Sequence, residues 1–324
     1  MTAFVPTARR GGLPRISMRQ VAAAVLCIGL LAGCTSLPKG ELQTLGSEVV
    51  QQSIDFETLD VNARRAKAAY APPANIRAAY PQTVRVATPG GRDVQYFIER
   101  DDKAKVQYIV VRGTYDDTTL KEDFDVKVRD DRTTKIPIHS GFDADAIAVW
   151  ADAQPYVKNG YQTYVVGHSL GGAVAAILGI YMIEDGYKVD KIYTYGQPRF
   201  TTTEGVAKLG FLPLLRVVDE NDLVPLLPPG GMGSQKYGRY QHVGPEVILL
   251  DGPNYVYMPS QQASELSLGS FWRGIHVADL KDHKLNNYIA RIDEKLTTSR
   301  QVAYDERENY IAKKKAVASL QPGK

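Results

Sequence analysis

Cysteine, histidine and tryptophan are scarce in this chain, and no apolar run is long enough to cross a bilayer comfortably. Two cysteines in 324 residues, Cys27 and Cys34, leave no disulfide framework once the amino-terminal segment is set apart. Stability must then come from an ordinary apolar core, which about 290 residues can supply in one domain. The five histidines, His139, His168, His242, His276 and His283, form no cluster of metal-ligand spacing, so neither a metal nor another cofactor is expected. Charge is nearly balanced, with 39 lysines and arginines against 36 aspartates and glutamates. Four of those arginines lie in the first 33 residues, so the rest of the chain carries 35 basic against 36 acidic side chains. That balance excludes a nucleic-acid-binding footprint. There is no internal repeat and no low-complexity block.

What is present begins with Arg9, Arg10, Arg15 and Arg19, a positive region without an acid, followed by the apolar run Val21 to Leu31. The run has the length of a signal-peptide core. It ends in Leu31-Ala32-Gly33-Cys34, which resembles the lipobox of bacterial lipoproteins. The resemblance implies cleavage before Cys34 and acylation of Cys34 as the mature amino terminus. With Thr35 beside it, the outer membrane is implied rather than the inner. A secretory signal cut after small residues, or an uncleaved anchor, is the alternative. The expected division is a signal peptide over residues 1–33 and a polar, lipidated tether over 34–55, which places the protein in the bacterial cell envelope.

The most informative stretch is Gly167-His168-Ser169-Leu170-Gly171-Gly172, a Gly-x-Ser-x-Gly pattern in a specific setting. The β-branched and aromatic run Gln162 to Val166 reads as a buried strand before it, and the small-residue run Ala173 to Met182 as a helix after it. A strand that turns directly into a helix at a serine sets that serine on a sharp corner, and Gly167 and Gly171 leave room for the crossing. The hydroxyl then stands at the carboxyl end of a sheet, beside a helix amino terminus that favours developing negative charge. Within the corner, the His168 side chain is expected to point away from Ser169 or to pack at the turn.

Around this motif, Phe56 to Tyr70 has helical spacing and is stopped by Ala71-Pro72-Pro73. Strands are expected at Thr83–Thr88, Val94–Glu99, Val106–Arg112, Lys191–Tyr195 and Leu214–Val218, with helices at Asp143 to about Val157 and near Thr203–Leu209. Such alternation argues for a layered α/β fold with a mainly parallel sheet. A single α/β domain is expected over 56–299, and a charged helical tail over 300–324.

A serine hydroxyl needs a base to take its proton and a carboxylate to orient that base. In α/β-hydrolases the chain order is serine, acid, histidine, which leaves His242, His276 and His283 as bases. The acid candidates gather where Leu215 to Val218 runs out into Asp219-Glu220-Asn221-Asp222. Pattern alone does not choose among Asp219, Glu220 and Asp222.

The chain resembles the class 3 lipase family, the fungal-type lipases with their relatives among feruloyl esterases and plant phospholipases. The resemblance covers roughly Ala63 to Tyr288. Its motifs, in order, are Ala68-Ala69-Tyr70, the strand ending Arg112-Gly113-Thr114, His139-Ser140-Gly141-Phe142, the Ser169 corner, Tyr195-Gly196-Gln197-Pro198-Arg199, Asn221 to Pro225 with Pro228-Pro229, and Asp282-His283. By position it implies an α/β-hydrolase fold, Asp222 as the acid and His283 as the base. The segment of His283 resembles the family's Asp-His-x-x-Tyr, with the aromatic displaced to Tyr288. His276 is the fallback base, and His242 matches a non-catalytic position. The oxyanion hole is expected from the N–H of Leu170, next to the nucleophile, and from that of Thr114, by likeness to the family's Arg-Gly-Ser or Arg-Gly-Thr.

Membership implies an ester or acyl-lipid substrate without a cofactor, and a membrane partner only through the anchor at Cys34. Tyr115 to Asp125 falls where these lipases carry a lid and is rich in charge, so weak interfacial activation is expected. A second cover is conceivable at Ser264 to Val277. An acyltransferase with the same triad, and an inactive lipase-like envelope lipoprotein with a binding role, are the rival readings.

Overall fold

Alternating β-branched strands and Ala-rich helices build a nine-stranded sheet with helices on both faces. The computed structural model describes residues 44–113, 127–131, 134–229, 233–234, 236–266 and 280–311. The expected signal segment, Cys34, Thr114, the lid segment, His276, most of the second cover and the end of the tail lie outside the described residues. Along the chain the main-sheet strands are β1 (Thr83–Ala87), β2 (Tyr96–Asp101), β3 (Val106–Val111), β6 (Gln162–His168), β7 (Lys191–Tyr195), β9 (Leu214–Asp219), β12 (Glu246–Leu249), β13 (Asn254–Met258) and β14 (Arg300–Gln301), and they lie side by side in that order. Strands β3, β6, β7, β9 and β12 are parallel. Strands β1, β2 and β13 run antiparallel to their inner neighbours. A second, antiparallel sheet is formed from β4 (Val128–Asp130), β5 (Pro137–His139), β8 (Thr201–Thr202), β10 (Gly233–Ser234) and β11 (Gly238–Gln241), in the order β10-β11-β8-β5-β4.

The pleat sends alternate residues to opposite faces. Ile109, Val111 and Val165 join one core with helices α3 (Ser140–Ala153) and α4 (Leu170–Glu184). Val110, Val166, Tyr195 and Val217 join the other with α1 (Phe56–Ala68) and α6 (Leu285–Asp293). Two shorter helices are α2 (Pro73–Ala79) and α5 (Thr203–Lys208). In α4 every residue from Gly171 to Met182 is buried, as befits a helix apolar all round. Helix α1 has a one-sided face, burying Phe56, Leu59, Ala63 and Ala66, and starts at Asp55, whose carboxylate accepts the N–H of Thr58 at 2.9 Å. It delivers Tyr70 to the carboxyl end of the sheet.

The expected helix at Asp143 begins earlier, at Ser140, because His139 Nδ1 accepts the N–H of Gly141 at 3.2 Å and caps it. It ends earlier too, and Gln154–Tyr156 forms a 3₁₀ turn where Val157 was the expected end. The described part of the tail, 300–311, departs from the expectation of a helix beginning at residue 300. Arg300–Gln301 pairs with β13, Tyr304–Tyr310 is a 3₁₀ helix, and Tyr304 and Arg307 are buried. The described part of the expected tether, 44–55, is held to the body. Gln262 Nε2 donates to Leu45 O at 2.5 Å and Glu48 O at 3.0 Å, and Gln301 Nε2 donates to Val50 O at 2.8 Å. The N–H of Gln52 returns a bond to Gln301 Oε1 at 3.3 Å.

Candidate active site

Strand β6 ends at His168, α4 begins at Leu170, and Ser169 between them has φ 59° and ψ −135°. Few residues other than glycine adopt such a backbone, and here the surrounding chain imposes it. A Cβ on Gly167 would stand 2.1 Å from the Gly171 carbonyl oxygen, and one on Gly171 would stand 2.5 Å from the Arg112 carbonyl. Both positions therefore require glycine. The N–H of Ser169 donates to Tyr195 O at 2.9 Å, tying the corner to β7. Leu170 is the first residue of α4, where a helix leaves N–H groups without an intrahelical acceptor. The Arg112 guanidinium donates to Asp93 Oδ1 at 2.5 Å and fixes the end of β3, from which the chain leads to Thr114.

The three acids after Val218 have three different fates. Asp219 accepts the N–H of Asn221 at 3.1 Å and lies 3.5 Å from Arg291; burial pushes its pKa up to about 6. Glu220 pairs with Arg307 at 2.8 Å, and burial pushes it up to about 7. Only Asp222 turns toward a histidine. Its Oδ2 accepts His283 Nδ1–H at 2.7 Å and the Tyr288 hydroxyl at 2.5 Å, while Oδ1 accepts the N–H of Val224 at 2.9 Å. With Nδ1 committed as a donor to the carboxylate, His283 Nε2 is left as the basic nitrogen.

Ser169, Asp222 and His283 are respectively 1%, 2% and 3% exposed, so the cluster is closed off from water. Ser169 Oγ and His283 Nε2 are buried atoms without a hydrogen-bond partner among the described residues. The His283 ring lies against the corner, stacked on His168 at 4.6 Å between centroids. His168 thus packs at the turn rather than facing solvent.

Two contributors escaped the sequence reading. Tyr288 donates to the acid from the buried face of α6, and burial, followed by the charge of Asp222, holds its phenol in the protonated form. The displaced aromatic was visible; that it lands on Asp222 depends on the 3₁₀ turn Leu280–His283 before α6. Gly196 has φ 58°, and a Cβ there would stand 2.8 Å from Asp222 Oδ2 and 2.9 Å from the His283 ring. Of the other histidines, His242 Nε2 donates to Pro225 O at 2.6 Å and His139 caps α3, both in structural roles. Among the described residues no group of three or more His, Cys, Asp or Glu is arranged to hold a metal.

Residues 108–232 match the model of the class 3 lipase family. The chain is 29% identical over 176 residues to a secreted mono- and diacylglycerol lipase of Fusarium solani, covering 48% of each chain. It is 31% identical over 174 residues to a lipase of Rhizomucor miehei, covering 49% of this chain and 46% of that one. The chain thus spans about half the length of the curated relatives it matches. Among solved structures, a lipase from Rhizopus microsporus var. chinensis superposes with a TM-score of 0.58 at 23% identity, over 72% of this chain and 88% of that one. The Lip2 lipase of Yarrowia lipolytica superposes with a TM-score of 0.56 at 21% identity, over 79% of this chain and 99% of that one. These last two show the likeness of fold. Sequence match, sheet order and the Ser169 corner agree: residues 108–232 are similar to the class 3 lipases, and the chain has the α/β-hydrolase fold.

Proposed function

We propose that the protein is a serine carboxylic-ester hydrolase acting on acyl lipids, with Ser169 as nucleophile, His283 as general base and Asp222 as its orienting acid. The observation that carries this reading is the buried Asp222–His283 hydrogen bond at 2.7 Å beside the strained Ser169 corner. His283 Nε2 takes the proton of Ser169 Oγ as the oxygen adds to the ester carbonyl. The N–H groups of Leu170 and Thr114 receive the oxyanion, each such donor being worth about 3–4 kcal/mol in comparable sites. The imidazolium returns its proton to the departing alcohol and leaves an acyl group on Ser169. Water, deprotonated by the same nitrogen, attacks the acyl carbonyl; collapse frees the carboxylic acid and restores the serine. The closed, water-poor setting strengthens each of these charge interactions.

A fluorophosphonate probe tests the nucleophile directly: wild type should be labelled and Ser169→Ala should not. Equal labelling of the two would remove the reading. Hydrolysis of a lipid panel, with and without an alcohol acceptor, then separates hydrolase from acyltransferase and reports the head group.

Attachment to the bacterial outer membrane through acylated Cys34 belongs to the same proposal. Its support is the arginine-rich start, the short apolar run and the Leu31-to-Cys34 motif. Radiolabelled palmitate should enter wild type in cells and fail to enter Cys34→Ala.

A further inference from the structure

His168 lies between the base and the strand that leads to the oxyanion loop, and both of its ring nitrogens are engaged. Nε2 lies 2.8 Å from the carbonyl oxygen of His283. A carbonyl only accepts, so Nε2 carries the hydrogen and donates it. Nδ1 is thereby the acceptor, and it takes the phenol hydrogen of Tyr70 at 2.8 Å. Tyr70 Oη in turn accepts the N–H of Gly113 at 3.1 Å. Each bond fixes the direction of the next, so the chain of three has one self-consistent hydrogen arrangement.

We infer that His168 and Tyr70 are positioning residues: together they tie the backbone of His283 and the strand end at Gly113 to the nucleophile corner, holding base and oxyanion donors at fixed spacing. This inference rests on the triad reading above. The hydrogen-bonded chain reaches the carbonyl of His283 and not its imidazole, so it holds position and moves no proton.

Three further features fit that role. Burial, followed by the proximity of His283, keeps the His168 imidazole well below its ordinary pKa. It stays neutral, and no second positive charge faces the imidazolium that forms on His283 during turnover. Tyr70 is itself pinned, because the buried Gln95 amide donates to Ala69 O at 2.7 Å and Ala71 O at 3.0 Å on either side of it. The approach of the two strands is also built into the backbone. A Cβ on Gly113 would stand 2.6 Å from His168 O and 2.7 Å from both Ser169 Cβ and Tyr70 Oη.

The test compares His168→Gln, His168→Phe and Tyr70→Phe by steady-state hydrolysis of a soluble p-nitrophenyl ester, with Ser169→Ala alongside. A glutamine amide offers one donor and one acceptor, as the neutral imidazole does; a phenylalanine keeps the stacked ring and loses both bonds. Misplacing reactive groups by about an ångström costs on the order of a hundredfold in rate. His168→Phe should therefore lose about a hundredfold in kcat with KM within about twofold, and Tyr70→Phe about tenfold. His168→Gln should retain more activity than His168→Phe. The Tyr70→Phe/His168→Phe double variant should be no slower than His168→Phe alone, because the strut acts as one unit. If Phe matches or exceeds Gln at position 168, the ring serves only as packing and the inference is overturned. Full kcat in Tyr70→Phe overturns it too, and that variant is conservative enough to fold. Should Ser169→Ala itself remain active, the triad reading falls instead, and the two failures are told apart.

Discussion

A hydrogen bond to a charged group is worth about 1.5–3 kcal/mol, and at the acid of the proposed triad its loss is expected to appear as lost rate. Asp222 holds three donors, from His283, Tyr288 and Val224, and each has a distinct effect when lost. Asp222→Asn removes the acceptor that selects the His283 tautomer, and kcat should fall by about 10⁴-fold. Tyr288→Phe removes one donor and leaves the tautomer intact, so a fall of about tenfold in kcat with unchanged KM is expected. Steady-state kinetics on a soluble ester check both values. A loss for Tyr288→Phe as large as for Asp222→Asn would mean that the phenol, rather than the carboxylate, orients the base. Sequence left Asp219, Glu220 and Asp222 equivalent, because a run of carboxylates after a strand has no periodicity. Their separation comes from tertiary partners: Arg291 claims the first and Arg307 the second. Only the resemblance singled out the third.

At the scale of elements, local pattern was most readable where an element is long and buried. Strands β3, β6, β7 and β9 appear within two residues of where strand alternation places them, and helix α4 starts three residues before the small-residue run. The second sheet was not readable, since Thr201–Thr202 and Gly233–Ser234 are too short to show a period and are held by pairing with β5 and β11. Strands β12 and β13 were missed for a related reason, as Glu246–Leu249 and Asn254–Met258 are short and follow a glycine- and proline-rich stretch. The turn after β7 is where element geometry meets chemistry. Gly196→Ala introduces a methyl into the space of Asp222 Oδ2 and the His283 ring at positive φ. Overpacking of this kind costs about 1–3 kcal/mol. The variant should unfold at lower urea and lose kcat more than KM, as circular dichroism and kinetics would report.

For the molecule as a whole, residues 300–311 form a clasp on the acid turn. Arg307, on the 3₁₀ helix after β14, reaches Glu220, two residues before Asp222. Folded Glu220 holds its proton up to about pH 7, whereas the unfolded side chain releases it near its ordinary value of 4.5. Between those values the native state binds the extra proton, so this group's contribution to stability declines as pH rises from about 4.5 to about 7 and is flat beyond. Asp219, pushed up to about 6, adds a decline of the same sign between its ordinary 3.8 and about 6. Urea midpoints at pH 5 and pH 8 should therefore differ less for Glu220→Gln than for wild type. An equal difference would assign the slope to other groups.

Gln52 and Gln301 exchange a hydrogen bond at 3.3 Å although 249 residues separate them along the chain. The two ends of the described body thus run together along the sheet margin, and beyond this bond Leu45, Tyr310 and Ile311 pack on one apolar cluster. A linker from residue 311 back to residue 44 would keep the clasp and make the body cyclic, and the ring could be reopened at the exposed Asn159-Gly160 turn ahead of β6. Ser169, Asp222 and His283 would keep their order on one side of the linker in the rearranged gene, and cargo fused at the new ends would project from that turn.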